Sequence, residues 1–210
     1  MNYEKTVLLK DGQKCLLKSA AGADGEAVYD LFNLTHGQTE YLLSYPDENR
    51  FTVSQERDYL AEKAANPRAV EICAWVDGCL TGTAGIEPVG DKDKVRHRAE
   101  FGINVDQAHW RRGIGRALTE ACIQCARQAG YAQLELDVVS ANGGAVALYR
   151  SLGFEEYGRN PQRLPDPGRP VAGAGAHAAG AEAVTRPPPL PRKNPPNRMK
   201  PHGKETKRQD

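Results

Sequence analysis

The sequence has no uninterrupted apolar run of about 18 residues, the length a membrane-spanning helix needs. Its first residues, Met1-Asn2-Tyr3-Glu4-Lys5, lead into no apolar signal-peptide core. Cysteine is sparse. There are five, an odd number without the spacing of a disulfide framework, which favours a reducing compartment. Cys122 and Cys125 form a C-x-x-C, but they fall on a helical apolar stripe with no second pair, so they read as small buried residues rather than as a metal or redox site. No metal, membrane or nucleic-acid partner is expected, and the expected location is cytoplasmic.

Aromatic residues stop at Tyr157, while 11 of the 14 prolines lie in residues 159–210. That segment carries 11 Lys+Arg against 4 Asp+Glu, so the net charge of +1 conceals a tail at +7 and a remainder at −6. Such a segment has too little apolar surface to offset the entropy of ordering it. The expected organisation is one folded domain over residues 1–160 and a disordered, basic, Pro/Ala/Gly-rich tail over 161–210.

Within the domain, Asp11-Gly12 marks a hairpin between Thr6–Lys10 and Gln13–Lys18. Asp24 reads as the cap of a helix bearing Ala27, Val28, Leu31 and Leu34, and residues 35–51 break that period. Thr52 and Gln55 have capping-box spacing before a second helix, which Asn66-Pro67 stops. Strands are predicted at Val70–Val76 and Cys79–Ile86 around Asp77-Gly78, and at Val95–Val105, where Glu100 falls on the polar face. Ile114, Leu118, Ala121, Cys122 and Cys125 form the stripe of a third helix ending near Gly130. Leu134, Leu136 and Val138 alternate as a strand. A short helix runs from Asn142 to Gly153, and a strand from Phe154. This order predicts an α/β (α+β) domain: a mixed sheet with helices on its faces.

The most informative stretch is Trp110-Arg111-Arg112-Gly113-Ile114-Gly115-Arg116. Two glycines one residue apart permit close backbone approach to a ligand, and the helix they open presents unpaired N–H groups and a positive dipole end. Arginines around it add forks that match phosphate oxygens. A dinucleotide-binding G-x-G-x-x-G would need glycine at position 118, where Leu118 stands.

That stretch, with Asn142-x-x-Ala145-x-x-Leu148-Tyr149 and Gly153-Phe154 after an intervening strand, resembles the GNAT superfamily of N-acetyltransferases over the whole predicted domain. Trp110 departs from the Gln or Arg common three residues before the first glycine. The resemblance implies a mostly antiparallel sheet with helices on both faces, and acetyl-CoA as cosubstrate. Its pyrophosphate would lie on the backbone of Arg111, Arg112, Gly113, Ile114, Gly115 and Arg116, and its pantetheine arm against Ile103 and Val105. The latter strand would splay from the one at Leu134–Val138. Asn142 would bind the arm, or serve as a plain helix cap. Tyr149 would be the general acid, or a packed aromatic. Glu100 is the candidate base, or a surface carboxylate paired with Arg96 or Arg98. His97 and His109 read as structural. The acceptor amine would enter over residues 35–51 and 88–98, with Tyr41, Tyr45, Asp47 and Glu48 as candidates. A catalytically impaired acyl-CoA-binding module is the alternative, and a homodimer is left open.

The resemblance also implies a last strand after Gln162, where Pro, Ala, Gly and Arg follow instead. A one-nucleotide shift at the Arg163 codon permits a translation ending WQELVHMRLEL, which alternates as a strand does. The tail therefore reads as either an out-of-frame C-terminus or a genuine basic tail for acidic partners.

Overall fold

The computed structural model describes residues 1–160 and 182–186. A hairpin of β1 (Glu4–Leu8) and β2 (Lys14–Ser19) opens the chain, with Gly12 at φ 83° in its turn. A 3-10 turn at Gly22–Asp24 leads into α1 (Gly25–His36). Asp24 precedes this helix but does not cap it with its side chain. Its carboxylate instead accepts from the Ala21 N–H at 2.9 Å and meets Lys18 Nζ at 3.0 Å, so the tight turn and an ion pair take the group expected as the cap. The second helix, α2 (Val53–Ala65), has the expected reciprocal box. The Gln55 N–H donates to Thr52 Oγ1 at 3.3 Å, and the Thr52 N–H donates to Gln55 Oε1 at 2.9 Å.

Next come β3 (Val70–Val76) and β4 (Cys79–Pro88), turned by Asp77 and Gly78, both at positive φ. The following strand, β5 (Arg98–Val105), starts three residues later than alternation predicts, because the Arg98 N–H closes a turn on the Val95 carbonyl at 2.9 Å. The rest are α3 (Ile114–Gln128), β6 (Gln133–Val139), α4 (Gly143–Ser151), β7 (Glu155–Asn160) and β8 (Glu182–Arg186).

The sheet order is β1-β2-β3-β4-β5-β6-β8-β7, antiparallel throughout except for β5 beside β6. The five residues of β8 form a strand between β6 and β7, inside the segment whose composition predicts no structure. The rest of the tail expectation falls outside the described residues.

Strand alternation assigns the two faces. Val70, Ile72, Ala74 and Val76 pack with Ile114, Leu118, Cys122 and Phe101 under α3, while Cys73 packs with Leu60 and Val28 under α1 and α2. Helices therefore cover both faces. Leu118, Cys122 and Cys125 are fully buried, so the expected stripe is the α3 core seam, and both thiols are free. No helix among the described residues is long and apolar enough to cross a membrane.

Candidate functional site

The site begins where two strands part. β5 and β6 pair in parallel only at Arg98↔Gln133, Ala99↔Leu134 and Glu100↔Glu135. Beyond that point β5 stays on β4 as far as Val105, while β6 pairs with β8 from Leu136 onward. The gap is a cleft of about 1220 Å³.

Ladder phase decides which backbone groups face it. The Asp106 N–H donates to the Thr81 carbonyl at 2.9 Å, in register with the β4–β5 ladder. Alternate residues of an antiparallel strand turn their N–H and C=O the opposite way. Ile103 and Val105 therefore aim theirs into the split. The Val105 carbonyl is already taken by the Trp110 indole N–H at 2.7 Å. An incoming chain is left the Val105 N–H and both groups of Ile103.

At one end of the cleft stands the α3 N-terminus. Gly113 is its N-cap at φ 104°, with no side-chain cap, and Arg111 is also left-handed at φ 61°. The first helical bond is from the Ala117 N–H to the Gly113 carbonyl, so the N–H groups of Ile114, Gly115 and Arg116 have no intrahelical acceptor. Unpaired donors at a positive dipole end suit an anion.

Arg111, Gly113, Gly115 and Arg116 line the cleft, and Arg112 and Ile114 do not. The Arg112 guanidinium binds Asp11 Oδ2 at 2.5 Å and also Gln13, and its carbonyl accepts from the Lys10 N–H at 3.0 Å. It braces the hairpin against the turn. The Ile114 side chain is in the core, and only its backbone belongs to the helix start. Arg116 donates to Ser151 Oγ at 2.6 Å, tying α3 to α4.

Asn142 and Tyr149 flank the opposite wall. Asn142 Oδ1 caps α4 by accepting from the Ala145 N–H at 3.2 Å, while its residue lines the cleft, leaving the amide NH₂ as a donor. The Tyr149 ring is buried edge-on between Phe101 and Phe154, with centroids at 6.2 and 5.8 Å. Its hydroxyl has no hydrogen-bond partner among the described residues, and burial pushes the phenol well above its ordinary value of 10.

The other sheet face carries the carboxylates. Glu100 lies between Glu87 on β4 and Glu135 on β6. Each neighbour has a cation. Lys63 Nζ is 2.7 Å from Glu87, and Arg98 binds Glu135 through two hydrogen bonds of 2.5 and 2.6 Å. The Arg98 bonds hold Glu135 below the usual carboxylate range. Arg96 pairs with Asp93. Glu100 is thus paired with neither Arg96 nor Arg98 and is exposed at the fork of the split. Asp137 follows Glu135 on the same face.

Several of these partnerships join residues far apart in sequence. Gln38, after α1, donates to Asp106 Oδ1 and accepts from the Gln107 N–H, both at 2.8 Å, which latches the α1–α2 loop to the end of β5. His109 meets Asp106 Oδ2 at 2.7 Å and so joins the same latch. Burial would raise Asp106, but hydrogen bonds from Gln38, His109 and the Ala108 N–H hold it low. The latch brings Tyr41 and Leu43 to the cleft, whereas Tyr45, Asp47 and Glu48 do not line it. Glu48 caps its own turn by accepting from the Tyr45 N–H at 2.9 Å.

A sheet split at one parallel pair, with an uncapped helix start at its mouth, defines a GNAT-type acyltransferase fold. The family model described as acetyltransferase (GNAT) family matches residues 26–154, and the chain belongs to that family. Human N-acetyltransferase 8 is 33% identical over 108 residues, covering 50% of this chain and 44% of the relative. The [ribosomal protein bS18]-alanine N-acetyltransferase of Escherichia coli K12 is 48% identical over 56 residues, 27% of this chain and 38% of that one. The chain thus spans less than half the length of these curated relatives. Among solved structures, the protein yncA from Salmonella typhimurium, described with its cofactor acetyl-CoA, has a TM-score of 0.72 at 20% identity over 88% of this chain and 98% of its own. A GNAT acetyltransferase from Streptococcus pneumoniae matches at 0.72 and 22% identity, over 82% and 98%. At such identities the likeness is one of fold.

Proposed function

We propose that the chain transfers an acetyl group from acetyl-CoA to a primary amine by direct attack in a ternary complex. One observation carries this: the uncapped α3 N-terminus, the inward-facing backbone of Ile103 and Val105, Tyr149 and Glu100 all open on one cleft. Family membership supports it, as does a structural neighbour described with acetyl-CoA as its cofactor.

In this reading the amides of Gly113–Arg116 hold the pyrophosphate, with Arg111 and Arg116 beside them. Ile103 holds the pantetheine arm through its free N–H and C=O, and the Asn142 amide donates to it. The Val105 N–H polarises the acetyl carbonyl. A lysine-like amine has a pKa of about 10.4, so reaching its neutral form at pH 7 costs roughly 4–5 kcal/mol. Glu100 takes that proton, directly or through water, and releases it to solvent. The nitrogen bonds to the acetyl carbon and the C–S bond breaks. Coenzyme A leaves as a thiol, and the proton shed by nitrogen reaches sulfur by way of Tyr149. Burial disfavours the Tyr149 phenolate and keeps the hydroxyl a donor at any physiological pH. In this reading the amine attacks the thioester directly, and no cysteine among the described residues lines the cleft. The five free thiols, four of them buried, fit a reducing cytoplasm.

Thiol release from acetyl-CoA across a panel of amines tests the proposal. A second reading, a CoA-binding module without turnover, is favoured by the departure of the chain from the family pattern after Gln162. Saturable coenzyme A binding with no thiol release on any amine would select it.

A further inference from the structure

We infer that the acceptor is a primary amine carried on an apolar or aromatic group, with no carboxylate beside the nitrogen; this rests on the acetyl transfer proposed above. Three features of the α1–α2 face of the split carry it. The first is charge. Glu100 stands beside Glu135 on that face, and the guanidinium next to them, Arg98, is committed to Glu135 by two hydrogen bonds. Lys63 on the same face is held by Glu71 at 2.9 Å and Glu87 at 2.7 Å. The other cations lining the cleft, Lys10, Arg111 and Arg116, stand around the α3 start at its far end. An ammonium is attracted to this acidic end. A carboxylate one carbon from the amine meets like charge there and no free cation among the described residues.

The second feature is space. Gly102 lies between Glu100 and Asn104 on that face, and a Cβ built on it would meet nothing within 4 Å. The floor beside Glu100 is therefore bare backbone, and the cleft is open above it.

The third is the wall. Leu43 is 73% exposed, Tyr157 57% and Tyr41 40%, and all three line the cleft. Large apolar surface left in water at a cleft mouth gains by being covered. Tyr157 is near enough to the carboxylates that burial, followed by Glu135 and Asp137, raises its phenol. A polyamine would satisfy the carboxylates and leave Leu43 and Tyr41 wet. A free amino acid would meet the wall and be repelled by the charge.

The test compares phenethylamine, phenylalanine and spermidine on the full chain. One readout is the added thermal stabilisation of the coenzyme A complex, and the other is the initial rate of thiol release from acetyl-CoA. Phenethylamine should stabilise the complex, and its kcat/KM should exceed that of phenylalanine by about tenfold or more. Leu43→Ala should raise KM for phenethylamine roughly fivefold without changing KM for acetyl-CoA. Gly102→Val should abolish the phenethylamine response while coenzyme A binding persists. Stabilisation by phenethylamine without thiol release would uphold the class of amine the cleft binds and sink the transfer reaction on which its role as acceptor rests. Turnover that favours phenylalanine or spermidine, or that is indifferent to Leu43→Ala, would leave the reaction standing and overturn the acceptor class.

Discussion

Tyr149 shows what one side chain's surroundings decide. Its ring packs between Phe101 and Phe154, yet its hydroxyl has no protein partner among the described residues. Removing that oxygen breaks no hydrogen bond of the described fold. Tyr149→Phe should therefore keep its unfolding free energy within about 0.5 kcal/mol of wild type while kcat falls about a hundredfold, read by urea denaturation and thiol release. Glu100→Gln should lower kcat/KM by a similar factor of about a hundred at pH 7, with coenzyme A affinity unchanged in a thermal-shift titration. The sequence made both residues candidates but left each with a bland alternative. The structure removes the one proposed for Glu100, since Arg96 and Arg98 have other carboxylates. That outcome was not legible in the sequence, because Glu135 reaches Arg98 only through a parallel register across 37 residues. The partner of the Arg112 side chain was hidden for a related reason. Adjacent arginines look alike in a motif, and only the packing of the hairpin against the turn sends one of them to Asp11.

Elements, by contrast, were mostly legible. Turn chemistry at Asp11-Gly12 and Asp77-Gly78, the box at Thr52 and Gln55, and the stripe from Ile114 to Cys125 are local or periodic signals, and each marks the element it forms. Signals that compete for one group fail instead. Asp24 had both a helix and a turn within reach, and Lys18, six residues away, lay outside any capping pattern. The α3 N-terminus joins element to function. Its donors have no acceptor among the described residues because Gly113 provides no side-chain cap, and φ 104° strains any other residue there. Arg111→Ala combined with Arg116→Ala should raise KM for acetyl-CoA about tenfold with little change in kcat. Arg112→Ala should instead lower the melting temperature by loosening the hairpin, with a smaller effect on that KM. Steady-state kinetics beside thermal denaturation separates the two.

For the whole molecule, the ion pairs that position the site also set its acid limit. Glu135, Glu87 and Asp106 lie below their ordinary values of 4.5, 4.5 and 3.8, so each contributes stability that is present above its unfolded value and lost as pH falls through its folded one. Glu56, raised by burial, acts in the opposite sense, and Lys63, raised by its carboxylates against burial, matters only in strong alkali. The urea midpoint should stay level from about pH 7 to 8, begin to decline below about pH 6.5 because burial keeps His36 neutral in the fold, and fall further below about pH 4.5, and Glu135→Gln should flatten part of that lower decline. Strand β8 was not legible in composition, since Glu182–Arg186 sits in a proline-rich, aromatic-free context and gains its order from β6 and β7. We propose that the chain from residue 163 is out of frame. Peptide masses of the protein from its source should then depart from this sequence after residue 162, and peptides that match residues 163–210 reject the idea. The central claim is that the α3 N-terminus holds the diphosphate of coenzyme A and delivers its thioester into the β5–β6 split. Calorimetric titration with coenzyme A, beside amide-exchange protection at Gly113–Arg116, tests it most directly. The account predicts saturable heat and slowed exchange at those amides; a folded protein that gives neither contradicts it.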